Sequence, residues 1–437
     1  MKRHVNNGTL FLAFAALTGC IIGAFIWGYL KFANVGITII WDWIPDLLTT
    51  KYYTVGMCLV GGLVIGLFHK KYGKYPDTMA EAVNRVKNNA FYPYEHLWLI
   101  VIGAYLSILF GGAVGPECGL VCILLALCFW AIDQFGMAAE RMRNIIAKNP
   151  DVPRGKVFRV MLSGLKSKPK DIVYDKSYQW KKSEQISSGV VCGICALIIY
   201  LTLNQIFGEC ISIPQLTSSE ISGIDNLILI ILIVTGIAAG YLYVIFRKIT
   251  SKFFGFLRSK GLIVLNALIG GAILGIVGTF FPMAMFSGGS QMQALMYEYM
   301  GMTPVLLLLN GVIKLFLTNV CIESGWRGGH FFPLIFSGVS IGYAMSMFLG
   351  TNQVLCVIVV SASMLATVLQ EPFSALILSL VFFPVEHVGW MAAAAFAGGC
   401  IPLPKGLRQN PDDKGFLYNV THFVMQKRLP DKEGKDG

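Results

Sequence analysis

Charge is scarce in this sequence. Only 14% of its 437 residues are Asp, Glu, Lys or Arg, against roughly 25% in an ordinary soluble domain. Hydrophobic residues make up 55%, and the mean hydropathy is +0.64. Together these exclude a conventional soluble fold. Catalytic signatures are missing as well. There is no Ser-His-Asp spacing, HExxH, P-loop or haem pattern, and the run from Gly111 to Pro116 has no adjoining lysine for a nucleotide. Paired aspartates, or Ser with His, are absent from the apolar stretches, where an intramembrane protease would need them. The chain therefore reads as a protein that is not an enzyme and uses no cofactor.

Cysteine says little. The 11 Cys fall mostly inside apolar runs (Cys20, Cys58, Cys122, Cys128, Cys192, Cys195, Cys356), with no CxxC pair beside a histidine. They read as small packing residues, not as a metal site or a disulfide framework. A cleavable leader is not expected either. The apolar run after His4 is too long and lacks a small-residue cleavage site.

Long apolar runs, by contrast, recur throughout. Leu10–Leu30, Ile186–Phe207, Leu227–Phe246, Leu262–Phe281 and Val354–Leu369 are clear examples, and a membrane-spanning helix needs about 20 residues. An all-α polytopic membrane protein is expected. The net charge of +11 could suggest nucleic acid, but the basic residues sit at Lys2 and Arg3, His69–Lys74, Arg141–Lys182, Arg247–Lys260 and in the tail. Short Lys- and Arg-rich loops mark the cytoplasmic side of a membrane. The partner is thus the lipid bilayer and not nucleic acid, and both termini are expected in the cytoplasm. Four regions follow: 1–52 with a first membrane helix, 53–207 with a polar basic block at 134–184, 208–404, and a short tail at 405–437.

Several apolar segments are too short to span alone and are broken by Gly or Pro. The main breaks are Gly111–Pro116, Ser287–Ser290, Gly325–Pro333 and Glu371–Pro372. Non-helical backbone at membrane depth is tolerated only where it is buried in protein or lines a wet cavity. A half-helix that starts there presents free N–H groups and a positive dipole end, which suits an anion. Helices starting after Gly115 and near Phe332 could both do this.

These residues resemble the CLC chloride channels and chloride/proton antiporters. The family's second anion-site motif, Gly-x-Glu-Gly-Pro, is matched by Gly112-Ala113-Val114-Gly115-Pro116. The third, Gly-x-Phe-x-Pro, is matched by Gly329-His330-Phe331-Phe332-Pro333 after Ser324-Gly325. The first is matched loosely by Tyr72-Gly73-Lys74-Tyr75-Pro76. Ser287–Ser290 and Glu371–Ser374 resemble two later helix starts, in the right order. The resemblance implies a CLC-like fold of two inverted halves, with broken helices meeting at a central anion site. It also implies a homodimer, a pore in each subunit, and a cell-membrane location. Gly73, Lys74, Val114, Gly115, Pro116, Gly329, His330, Phe331 and Phe332 would line the anion site.

The departures from the family pattern bear on mechanism. In this alignment the family's gating glutamate is replaced by Val114. No counterpart of the helix carrying the inner, proton-delivering glutamate appears between Met137 and Ser187. Leu403 and Pro404 stand where the family has an anion-contacting tyrosine. The expected function is passive conduction of a small inorganic anion, chloride first, with Val114 at the gate position. The alternatives are a proton-coupled antiporter that uses Glu117, and a non-transporting relative. Glu117, at i+3 from Val114, is either a first-turn cap or a modulating acid. Lys314 lies within an apolar run, where it either attracts anions or snorkels or pairs with Glu323. Arg327 is a candidate anion-attracting residue, and His330 reads as a hydrogen-bonded helix-start residue.

Overall fold

The computed structural model describes residues 7–48, 50, 52–149, 151–163, 182–208 and 225–408. Among them are sixteen α-helices and no strand. The first eight are α1 (Asn7–Thr38), α2 (Ile44–Leu48), α3 (Tyr53–Tyr72), α4 (Met79–Asn89), α5 (Leu97–Leu109), α6 (Glu117–Lys148), α7 (Arg154–Ser163) and α8 (Lys182–Phe207). Then come α9 (Asn226–Ser259), α10 (Ile263–Phe280), α11 (Gly289–Glu298), α12 (Pro304–Ser324), α13 (Phe331–Leu349), α14 (Gln353–Leu369), α15 (Pro372–Phe382) and α16 (Val388–Cys400). Eight described helical runs are long and apolar enough to cross a membrane. Of the basic block at 134–184, the first part continues α6 and a second part forms α7. Residues 164–181 lie outside the described residues, as does most of the tail.

The helix ends fall at the Gly and Pro breaks. The gap between α5 and α6 is the Gly111–Pro116 run, and α12 and α13 flank Gly325–His330. Gly325 ends α12 at φ +106°, a left-handed conformation that a side chain would strain. Pro372 starts α15, where its fixed φ suits the first turn and its missing N–H costs nothing.

The chain forms two compact units, and their division does not follow chain order. One holds 1–42, 76–105 and 118–211; the other holds 43–75, 106–117 and 212–437. The segments 53–75 and 106–117, grouped with the first half on sequence, thus belong with the second.

In the first unit α1 packs along α8. Gly19 and Gly23 let the α1 backbone approach Cys192 and Ala196 so closely that a Cβ at either glycine would run into a carbonyl. Small residues at such crossings are the usual basis of close helix contact in membranes. The polar stretch after Pro76 forms α4, capped by a reciprocal pair. Glu81 N–H donates to Thr78 Oγ1 at 3.3 Å, and Thr78 N–H donates to Glu81 Oε2 at 2.7 Å.

The second unit is built around α14, whose residues Val354–Val368 are all buried. A helix that is apolar on every face belongs inside a bundle. It is surrounded by α9, α13 and α16, with Gly236, Gly338, Gly342 and Gly398 at the closest approaches. In the same unit, α3 and α10 meet through Gly62, Gly66, Gly271 and Gly275. This packing fixes the two helix breaks that form the site.

Candidate functional site

The second and third motifs lie side by side in one unit. Gly115 N–H donates to Gly329 O, and Gly329 N–H donates back to Gly115 O, both at 2.8 Å. This two-way bond locks the chain before α6 against the chain before α13. Trp326, fully buried, braces the pair from behind. Its Nε1 donates to Ala267 O on α10 at 3.1 Å, and its ring lies against Gly61, Gly112 and Gly271.

Glu117, the first residue of α6, turns its side chain back toward this junction. Its Oε1 accepts from Phe331 N–H at 2.7 Å and from Phe332 N–H at 3.4 Å. These are the first amides of α13, where unpaired N–H groups and the helix dipole favour negative charge. A helix end of this kind suits negative charge, and the carboxylate occupies it. Space for it comes from two glycines, since a Cβ on Gly115 or on Gly329 would run into the carboxyl group. Its second oxygen, Oε2, is buried and has no hydrogen-bond partner among the described residues. The carboxylate is thus held by one oxygen only.

Lys314 on α12 lies behind the same junction. Its side chain is fully buried. Nζ donates to Met285 O at 2.7 Å and to Phe286 O at 2.6 Å, and lies 5.1 Å from the Phe336 ring centre. Phe286 N–H in turn donates to Gly111 O at 3.1 Å. Lys314 thereby holds the 285–286 loop to α12, and the Phe286 amide joins that loop to the start of the second motif. Of the two alternatives for Lys314, the snorkelling or pairing with Glu323 does not occur. Lys314 has no access to the surface, and Glu323 bonds Arg258 at 2.9 Å instead.

The residues expected at the site are distributed unevenly. Gly115, Pro116, Gly329, His330, Phe331 and Phe332 all belong to the junction. Val114 is fully buried against Gly328, and its N–H donates to Gly112 O at 2.8 Å. The amides of Val114 and Gly115 were expected to hold an anion, but both are engaged within the protein because the turn and the bridge consume them. The Gly73 amide likewise caps α3 by donating to His69 O at 3.0 Å. Gly73 and Lys74 are exposed, and no described contact joins them to Glu117 or Phe331. Arg327 is buried beside the third motif. His330 makes no helix-start side-chain hydrogen bond. Its ring packs between Phe331 and Tyr243, with centres 4.7 and 6.1 Å away.

Sequence reading missed Tyr243 altogether. It lies within the apolar run of α9, nearly ninety positions before His330, and only the packing of α9 against α13 brings the two rings together. No local pattern could have marked it.

Comparison with known proteins places this geometry in context. A profile described as voltage gated chloride channel matches residues 182–401, half of the chain. YfeO of Escherichia fergusonii, a protein named for ion transport, is 25% identical over 323 residues, covering 72% of this chain and 73% of its own length. YfeO of Shigella flexneri is 24% identical over the same span. Among solved structures, a slow cyanobacterial Cl-/H+ antiporter aligns with TM-score 0.63 at 16% identity, covering 96% of this chain and 99% of its own. A CLC-type fluoride/proton antiporter aligns with TM-score 0.57 at 15% identity over 89% and 95%. A eukaryotic CLC transporter gives 0.58 at 15% over 97% and 75%. At these identities the likeness is one of fold.

Proposed function

We propose, from the premise that the chain belongs to the voltage gated chloride channel family, that it moves a small inorganic anion across a membrane with Glu117 as its acid gate. The observation that carries this is the Glu117 carboxylate on the Phe331 and Phe332 amides. A carboxylate and a transported anion need the same thing there, N–H donors at a positive helix end that offset the loss of water. They therefore compete. An anion enters when Glu117 leaves, and protonation helps it leave by removing the charge that binds it to the helix end. The unpartnered Oε2 makes the closed position weaker than a fully bonded one.

This favours proton-linked exchange over passive conduction. The exchange of halide for protons named for two of the structural relatives supports the same choice. Chloride is the first anion to test. Homodimeric assembly, a place in the cell membrane and cytoplasmic termini belong to the same proposal, the last resting on the Lys- and Arg-rich loops.

The passive reading has its own support in the sequence. Val114 stands at the centre of the second motif, and the polar block replaces the segment with an inner acid. Purified protein in chloride-loaded liposomes, followed with chloride and pH electrodes together, decides between them. Chloride efflux with proton uptake in a fixed ratio supports exchange. Chloride efflux with no proton movement supports the passive pore and overturns the exchange.

A further inference from the structure

A second charged feature lies in the same unit as the anion junction but apart from its amides. A cavity of about 400 Å³ is lined by Tyr243, Arg247, Lys248, Lys252, Glu323 and Arg408, among others. Its volume is within the range of about 300–1,000 Å³ usual for small-molecule sites. Four of these residues are cations and one is an acid. That acid is already engaged, since Glu323 bonds Arg258, which does not line the cavity. Among the described residues, none of Arg247, Lys248 and Lys252 is in an ion pair. Basic side chains from two successive turns of α9 and from the chain after α16 line one concavity.

We infer that this cavity binds a phosphate-bearing ligand. A monovalent halide is far smaller than the space and needs less charge than the walls carry. A phosphate group carries several acceptor oxygens, which suit an arginine fork together with lysine point charges. A bound ligand would lie against Tyr243, whose ring neighbours His330, the residue before Phe331. Occupancy would then place negative charge close behind the anion junction. The phosphate can come from a soluble ester or from an anionic lipid headgroup. Binding is measured without transport, so it stands or falls separately from the role of Glu117.

The test uses full-length protein purified in detergent. Inorganic pyrophosphate is titrated calorimetrically into the wild type, the double variant Arg247→Gln/Lys252→Gln and the single variant Lys248→Gln. Phosphatidylglycerol and phosphatidylcholine are compared in parallel by native mass spectrometry. Thermal melts confirm that the variants fold, and the single variant keeps the test usable if the double one does not. At least tenfold weaker pyrophosphate binding in the double variant, and an intermediate loss in the single one, supports a soluble phosphate ligand. Phosphatidylglycerol retention that the variants lose, without pyrophosphate binding, supports a lipid headgroup. If neither probe binds, or both bind wild type and variants alike, the inference is overturned.

Discussion

The Glu117 carboxylate lies 2.7 Å from the Phe331 amide, across 214 residues of sequence. With Glu117 as the proposed gate, such a contact would make anion access depend on the charge of one side chain. In the wild type, flux should rise as pH falls, because the protonated acid no longer holds the helix end. In Glu117→Gln that charge is permanently absent, so flux should persist and lose its pH dependence. Chloride efflux from liposomes over the acidic to neutral range checks both. A Gln variant as pH-dependent as the wild type would contradict the assignment.

Gly115 offers a test by bulk. The atoms nearest to a methyl group there are those of the Glu117 carboxyl group. The carboxyl is the far end of a flexible side chain, so it can move aside. Gly115→Ala should therefore fold, with a melting temperature close to wild type, and show the weakened pH dependence of Glu117→Gln. Collapse of the fold would mean that the glycine serves packing rather than the acid.

Lys314→Met leaves two carbonyls, at Met285 and Phe286, without their donor. An unsatisfied buried acceptor costs about 1–3 kcal/mol, partly offset by the relief of no longer burying a cation. A net loss of about 1–3 kcal/mol is expected, seen as a lower melting temperature in detergent. Flux should fall as well, because the 285–286 loop positions Gly111. Lys314→Arg should not rescue, since overpacking a filled core costs about 1–3 kcal/mol.

Trp326 should behave as a structural residue. Trp326→Ala removes a fully buried ring and its bond to Ala267, at about 3–5 kcal/mol. Trp326→Phe keeps most of the volume and loses the bond, at about 1–3 kcal/mol. Both should lower the melting temperature, in that order. The pH dependence of any residual flux should match wild type, because neither change touches Glu117.

Much of the architecture was legible in the sequence because Gly and Pro act locally. The breaks at Gly111–Pro116, Ser287–Ser290, Gly325–Pro333 and Glu371–Pro372 fall at helix boundaries, since each interrupts the backbone pattern where it stands. Residue roles at the site were less legible because they depend on distant partners. Motif alignment put the interest on Val114, whose side chain is buried against Gly328. Glu117 reaches the junction because helical side chains lean toward the helix N-terminus. The space it fills belongs partly to Gly329, more than two hundred residues on. Sequence offers Lys314 an acid on its own helix, Glu323, yet its partners are carbonyls of a loop 28 and 29 residues earlier. Carbonyl partners of this kind carry no sequence signature.

The most direct test of the central claim is the affinity of the protein for chloride, measured calorimetrically in detergent near neutral pH for wild type and Glu117→Gln. If carboxylate and anion contest the Phe331 and Phe332 amides, the Gln variant should bind chloride at least fivefold more tightly, about 1 kcal/mol. Equal affinity in the two proteins would show that Glu117 does not occupy the anion's place.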